Sequence, residues 1–252
     1  MDEQLPLYAD GRIYDQIFNE TRDIPYWQEQ LGQVEGPVLE LSCGTGRILL
    51  EIAARGADAY GLDLSVGMLA YAAHKAEKRR LHINLHHGDM RGFELNQRFA
   101  AIYVPNNALG HLYQRRDIEA HLACVRRHLQ PDGLYLLDMF VPNPALLAPD
   151  DGGREPFSQY LDPDDGSIID IYQTGEYDHA TQIKHATWSC LRNNQLIRKE
   201  PFTIRMFYPQ ELDALLIYNG FEIVAKYGGY DRSPFGSHSR CQLIVARAAQ
   251  HG

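Results

Sequence analysis

The sequence predicts an α/β protein. It reads as a Rossmann-like, doubly wound sheet, mostly parallel with an antiparallel last strand, plus an antiparallel β insertion. Three observations carry this. Short apolar runs alternate with helical stretches up to about residue 142. From 143 to 206 the alternation gives way to β-branched and aromatic runs separated only by turns. A helix and two strands with no helix between them then close the chain.

The elements follow in order. An N-terminal helix is flanked by Tyr8 and Tyr14. Val38 to Leu41 is a short apolar strand that runs into a glycine-rich turn, and Ile48 to Arg55 reads as a helix. Ala57 to Leu62 is a second strand ending in Asp63. Gly67 to Arg80, rich in alanine and lysine, is a helix. Leu81 to His86 is a third strand, followed by Gly88-Asp89, and Phe99 to Val104 a fourth. Asp117 to Leu129 is helical, with Ile118, Leu122, Val125 and Leu129 at helical spacing. Leu134 to Met139 is a fifth strand after the turn Pro131-Asp132-Gly133.

Residues 143 to about 165 are rich in Pro, Asp and Gly and read as loop. Ile168 to Tyr177, Gln182 to Leu191 and Gln195 to Met206 read as strands joined by DHAT and NNQ turns. Pro209 to Asn219 is a helix with Gly220 as its cap. Phe221 to Tyr227 and Arg240 to Arg247 are the last strands. One domain is therefore expected over 1–142 and 207–252. The 143–206 insertion is expected over the carboxyl ends of the parallel strands, where such sheets bind ligands.

Composition narrows the function. The chain has 252 residues, 44% hydrophobic and 23% charged, an ordinary globular balance. Its net charge of -9 argues against nucleic acid as a default partner. No run of about 18 apolar residues occurs, so no membrane partner is expected. The acidic start MDEQLPLYADGRIYD lacks the apolar core of a secretory signal. The four cysteines form no CxxC pair, and a reduced, cytoplasmic setting is the simplest expectation. No metal site is expected. His82, His86 and His87 alternate between strand faces, and DPDDGS at 162–167 lacks the oxygen spacing and terminal glutamate of a calcium loop.

The sharpest signal is Glu40-Leu41-Ser42-Cys43-Gly44-Thr45-Gly46-Arg47. Glycines at a strand-to-helix turn let the backbone approach a ligand. A dinucleotide fingerprint would place a third glycine where Leu49 stands, and no GK[ST] follows for a P-loop. Glu40 is badly placed beside a pyrophosphate but well placed to orient the turn or meet a cationic ligand. Asp63 can accept hydrogen bonds from both hydroxyls of a ribose. Asp89 beside Met90 can face the exocyclic amine of an adenine. Alone, each reads equally as a cap or turn residue. Three such signals after successive strands are far more specific.

These stretches resemble class I S-adenosylmethionine-dependent methyltransferases, in the bacterial family acting on small molecules. The resemblance rests on VLELSCGTGRILLEIAARGADAYGLDLSVGMLAYA, HHGDMRGFELNQRFAAIYVPNNALGHL and HLQPDGLYLLDMF. FYPQELDALLIYNGF and YDRSPFGSHSRCQLIVARA extend it over most of the chain outside the insertion. One departure is Ser42, where the family usually has glycine.

The resemblance implies S-adenosyl-L-methionine as cofactor and S-adenosyl-L-homocysteine as product. It assigns cofactor roles to Gly44, Gly46, Asp63, Asp89 and Met90, and Tyr14, Glu40, Ser42, Arg47, Leu64, Met68 and Asn106 complete the candidate cofactor site. Tyr14 matches the tyrosine of the family's YD pair.

Methyl transfer from a sulfonium is an in-line displacement that depends mainly on proximity. A base matters only for a protonated acceptor, and His111 and Tyr14 are the catalytic candidates. Tyr8, His111, Phe140, Arg205 and Tyr230 are the candidates for binding a small-molecule acceptor through N or O, less so C. The insertion then acts as an acceptor-binding cap. Monomer and homodimer are both compatible with the sequence. Two other classes compete: a cofactor-binding regulator or scaffold without transferase activity, and a nicotinamide-dependent oxidoreductase, which Leu49 disfavours.

Overall fold

The strands that are apolar along their whole length become the centre of a sheet. In the computed structural model, which describes residues 10–143, 147 and 155–249, β1 (Val38–Leu41) and β4 (Phe99–Val104) are buried at every position. They lie side by side, with β2 (Ala59–Asp63) and β3 (Asn84–His87) beyond β1. On the other side come β5 (Leu129–Phe140), β11 (Cys241–Ala248) and β10 (Phe221–Tyr227). The seven-stranded order is β10-β11-β5-β4-β1-β2-β3. β1 to β5 pair in parallel, and β11 runs antiparallel to both its neighbours.

Alternation along each strand splits the core between two faces. Leu39, Leu41, Ile102 and Val104 pack with α5 (Arg115–His128) and α6 (Pro209–Tyr218). Val38, Ala101 and Tyr103 pack with α2 (Ile24–Leu31) and α3 (Leu49–Ala53). α4 (Val66–Arg79) is set locally. Ser65 Oγ accepts from Met68 N at 3.3 Å, and Arg80 ends the helix at φ 54°. No described helix is long and apolar enough to cross a membrane.

A second, antiparallel sheet has the order β6-β7-β8-β9, from β6 (Glu155–Leu161), β7 (Ile168–Asp178), β8 (Ile183–Arg192) and β9 (Gln195–Arg205). Its inner residues Tyr160, Ile169, Ile171, Trp188 and Cys190 pack on Ile13, Tyr14, Ile17 and Phe18 of α1 (Gly11–Ile17) and its end. β9 is stitched to the segment after β4. Tyr113 Oη donates to the Thr203 carbonyl at 3.1 Å, and Arg205 Nη1 to the Tyr113 carbonyl at 3.1 Å. A Cβ on Gly110 would fall 2.6 Å from Ile204, so only glycine lets the two segments approach this closely.

Several elements differ from expectation. Residues 155–161 form β6 rather than loop; it is an edge strand that tolerates Pro156 and gains order from pairing with β7. Pro131-Asp132-Gly133 is not a turn before β5. It rides inside the strand, where the register against β4 jumps from Phe99/Leu129 to Ala101/Leu134. α2 was not expected; Tyr26, Trp27 and Leu31 anchor it through tertiary burial. β3 begins at Asn84 rather than Leu81, and α3 is shorter than Ile48 to Arg55. In the DPDDGS turn, Asp162 and Asp165 pair with Arg192.

Candidate functional site

At the carboxyl end of β1 the chain turns through three left-handed residues, Ser42 (φ 58°), Gly44 (φ 53°) and Gly46 (φ 75°). Serine at the first costs about 1 kcal/mol of backbone strain relative to glycine. Its hydroxyl donates to the Met90 sulfur at 3.6 Å, tying the turn to the segment after β3. A Cβ on Gly44 would meet nothing within 4 Å, so this backbone faces open space. Gly44 N donates to Asp63 Oδ2 at 2.7 Å, and Ser65 N to Oδ1 at 2.8 Å. Leu64 N adds a third backbone hydrogen bond to this carboxylate. Burial pushes the Asp63 carboxyl up, against these backbone bonds. Leu49, which replaces a third glycine, fits because β2 supplies one instead: a Cβ on Gly61 would lie 2.6 Å from the Leu49 side chain.

Glu40 sits behind the turn, 3% exposed, and accepts from Tyr103 Oη at 2.8 Å. Burial pushes it up to about 8, against the pull of Tyr103 and Arg47. An acid whose folded pKa is raised holds its proton better folded than unfolded. Stability therefore falls as pH climbs from about 4.5 towards 8 and levels above that. Thermal unfolding of Glu40→Gln across this window is expected to lack that fall. The difference should be at most about 3–5 °C per pH unit. A wild-type decline that persists unchanged in the variant would remove Glu40 as its source.

α1 closes over the turn. Asp15 accepts from Thr45 Oγ1 and from Lys75 Nζ on α4, and Tyr14 Oη accepts from Asn106 Nδ2 at 3.4 Å. Desolvation pushes the Tyr14 phenol up to about 12, so it stays protonated near neutrality. Arg47 is committed below: Nη1 and Nη2 donate to the two oxygens of Asp23 at 2.6 Å, and Nη1 also to the Glu20 carbonyl.

After β4, Asn106 and Asn107 are both left-handed (φ 58° and 59°). Asn107 N donates to Asp138 Oδ1 at 2.9 Å, and Asn107 Oδ1 accepts from Phe140 N at 2.6 Å, which locks the ends of β4 and β5 together. Tyr230 Oη donates to Asp138 Oδ2 at 2.6 Å. Burial pushes Asp138 up to about 6.

His111 ends a 3-10 turn at Ala108–His111 and meets the Phe202 ring edge-on at 6.1 Å. Burial pushes its pKa down, so the imidazole is neutral near pH 7. Phe202 stacks on Trp188 at 5.1 Å.

The remaining candidates divide. Met68 is buried and Leu64 is exposed beside Asp63. Asp89 is braced by Arg91, whose Nε and Nη2 donate to it. Phe140 is half-buried at the end of β5. Arg205 Nη2 is held by Glu211 at 2.7 Å and Nη1 by the Tyr113 carbonyl, while its buried Nε has no hydrogen-bond partner, and Tyr230 Oη is held by Asp138. Tyr8 lies outside the described residues. Sequence reasoning did not select Asp15, Tyr103 or Asn107, whose partners lie far along the chain. The YD pair was the one signal for Asp15.

Comparison with known proteins adds to this geometry. The profile of a methyltransferase domain matches residues 38–133. The chain is 37% identical over 101 residues to a dTDP-3-amino-3,6-dideoxy-α-D-glucopyranose N,N-dimethyltransferase from Streptomyces fradiae, covering 40% of this chain and 38% of that protein's length. It is 25% identical over 262 residues to the cypemycin N-terminal methyltransferase of a Streptomyces species, covering 94% and 98% of the two chains. The fold is similar to that of the CcbJ methyltransferase from Streptomyces caelestis, with TM-score 0.80, 24% identity and coverage of 91% and 97%.

Proposed function

We propose that this chain is a class I S-adenosylmethionine-dependent methyltransferase that methylates an amine nitrogen on a small molecule, an amino sugar nucleotide first among them; the methyltransferase-domain match and the likeness to the Streptomyces fradiae protein support this reading. The observation that carries the cofactor reading is the open-facing Gly44 backbone held by Asp63. The residues fit the group. Asp63 is a carboxylate beside the open turn that can accept from ribose hydroxyls, Glu40 supplies latent negative charge behind the turn, and Asp89-Met90 offers a carboxylate and an apolar side chain to the adenine. When bound, the cofactor supplies an activated methyl on a cationic sulfur.

The protein's part is positional. Tyr14, Asp15 and Asn106 hold α1 against the glycine turn and exclude water. The β6–β9 sheet of the insertion acts as the acceptor cap, with Trp188 and Phe202 facing α1 and His111. Nitrogen is favoured as acceptor atom by the likeness to the Streptomyces fradiae protein, whose name specifies N,N-dimethylation. An amine reaches the site protonated and must lose that proton before attack; the neutral Nδ1 or Nε2 of His111 takes it.

The test is incubation with S-adenosylmethionine and a panel of dTDP-amino sugars, read by mass spectrometry. One or two added methyl groups on the amine are expected. Methylation confined to hydroxyl acceptors would overturn the nitrogen assignment. His111→Ala is expected to lower kcat about 100-fold at pH 7. The loss should shrink at higher pH, where the amine sheds its proton unaided. A pH-independent loss would count against the base role.

A further inference from the structure

One face of α5 is polar where it should be apolar. His121 and Cys124 are fully buried and His128 nearly so. With Asp117 they lie at i, i+4, i+7 and i+11, a single stripe. Every member grips the segment between β3 and β4, which has no regular structure and follows the edge strand of the sheet.

His121 Nδ1 lies 2.9 Å from the Met90 carbonyl, and Nε2 lies 2.8 Å from Tyr135 Oη. A carbonyl only accepts, so Nδ1 carries the hydrogen and Nε2 accepts from the tyrosine. Cys124 Sγ donates to the Phe93 carbonyl at 3.3 Å, and Leu95 N donates to His128 Nε2 at 3.2 Å. Arg91, which braces Asp89, also reaches Asp117 at 3.5 Å. The Asp89-Met90-Arg91 triplet is thus tied to α5 on both sides.

We propose that His121, oriented by Tyr135, is a positioning residue that sets Asp89 and Met90 at the spacing needed to read the 6-amino group of a purine. This rests on the cofactor reading above. Packing alone would not select histidine here, because a buried imidazole is costly unless both nitrogens are bonded. Burial pushes it down to about 4, so it is neutral and its tautomer fixed across the working pH range.

The test compares His121→Leu, His121→Gln and His121→Asn in the full chain. Calorimetry measures binding of S-adenosylhomocysteine and of S-inosylhomocysteine, which carries a 6-oxo group. Wild type is expected to prefer the amino form. His121→Leu and His121→Gln should lose about tenfold in affinity for the amino ligand and little for the oxo ligand, so discrimination collapses. His121→Asn, whose amide can still donate to the Met90 carbonyl, should restore most of it.

At saturating cofactor, kcat should hardly change. Equal losses for both ligands, or full discrimination in His121→Leu, would overturn the proposal. The Asn and Gln variants keep the test usable if leucine impairs folding. Failure of wild type to bind S-adenosylhomocysteine at all would instead remove the cofactor reading, and this proposal with it.

Discussion

Asp63→Ala is expected to weaken S-adenosylmethionine binding by about 100-fold or more while the chain stays folded. The carboxylate has two tasks at once. It accepts from Gly44 N and Ser65 N, which holds the glycine turn against the start of α4. Its second task, under the proposed function, is to accept from the ribose hydroxyls. Hydrogen bonds to a charged group contribute about 1.5–3 kcal/mol each, so losing two ribose contacts gives at least the stated factor. Stability should change less, because removing the side chain also removes a carboxylate whose burial opposes its ionisation. Calorimetry with a parallel melting curve separates the two effects. Asp63→Ala bound at wild-type affinity would refute the ribose assignment.

Arg47→Met is expected to act the other way, on stability far more than on affinity. The guanidinium makes a bidentate pair with Asp23, whose side chain is 4% exposed. Removing one partner of such a pair leaves a buried carboxylate uncompensated, a loss of about 3–5 kcal/mol. At about 2–4 °C per kcal/mol for a chain of this size, the melting temperature should fall by roughly 6–20 °C. Adding Asp23→Asn should recover much of it, because the stranded charge is gone. Cofactor affinity should change less than in Asp63→Ala. A variant with unaltered stability and lost affinity would place Arg47 in direct contact with the cofactor, as the sequence alone suggested.

What the sequence made legible follows from where each signal resides. β1 and β4 were readable because burial on both faces makes them continuously apolar. β6 was not, because an edge strand with Pro156 owes its form to β7 rather than to its own residues. α2 depends on the sites its aromatic residues fill. Leu49 argues against a dinucleotide turn. The close packing it seemed to forbid is supplied by Gly61, on another strand.

The site divides likewise. Ser42, Gly44, Gly46, Asp63 and Asp89-Met90 are local signals at strand ends. The clamp of Asp15 on Thr45 and Lys75 and the Asn107–Asp138 lock join residues at least 30 positions apart, beyond any spacing rule. The His121 contact with the Met90 carbonyl is of the same long-range kind. Arg47 shows the converse: a residue next to the glycines whose charge is used inside the fold.

The most direct measurement is calorimetric titration of the wild-type chain with S-adenosylmethionine and S-adenosylhomocysteine, with NAD as control. Micromolar binding of the first two and none of NAD is the predicted result. Binding of NAD, or no heat from any of the three, would contradict the reading of Gly44 and Asp63 as an adenosyl-sulfonium site.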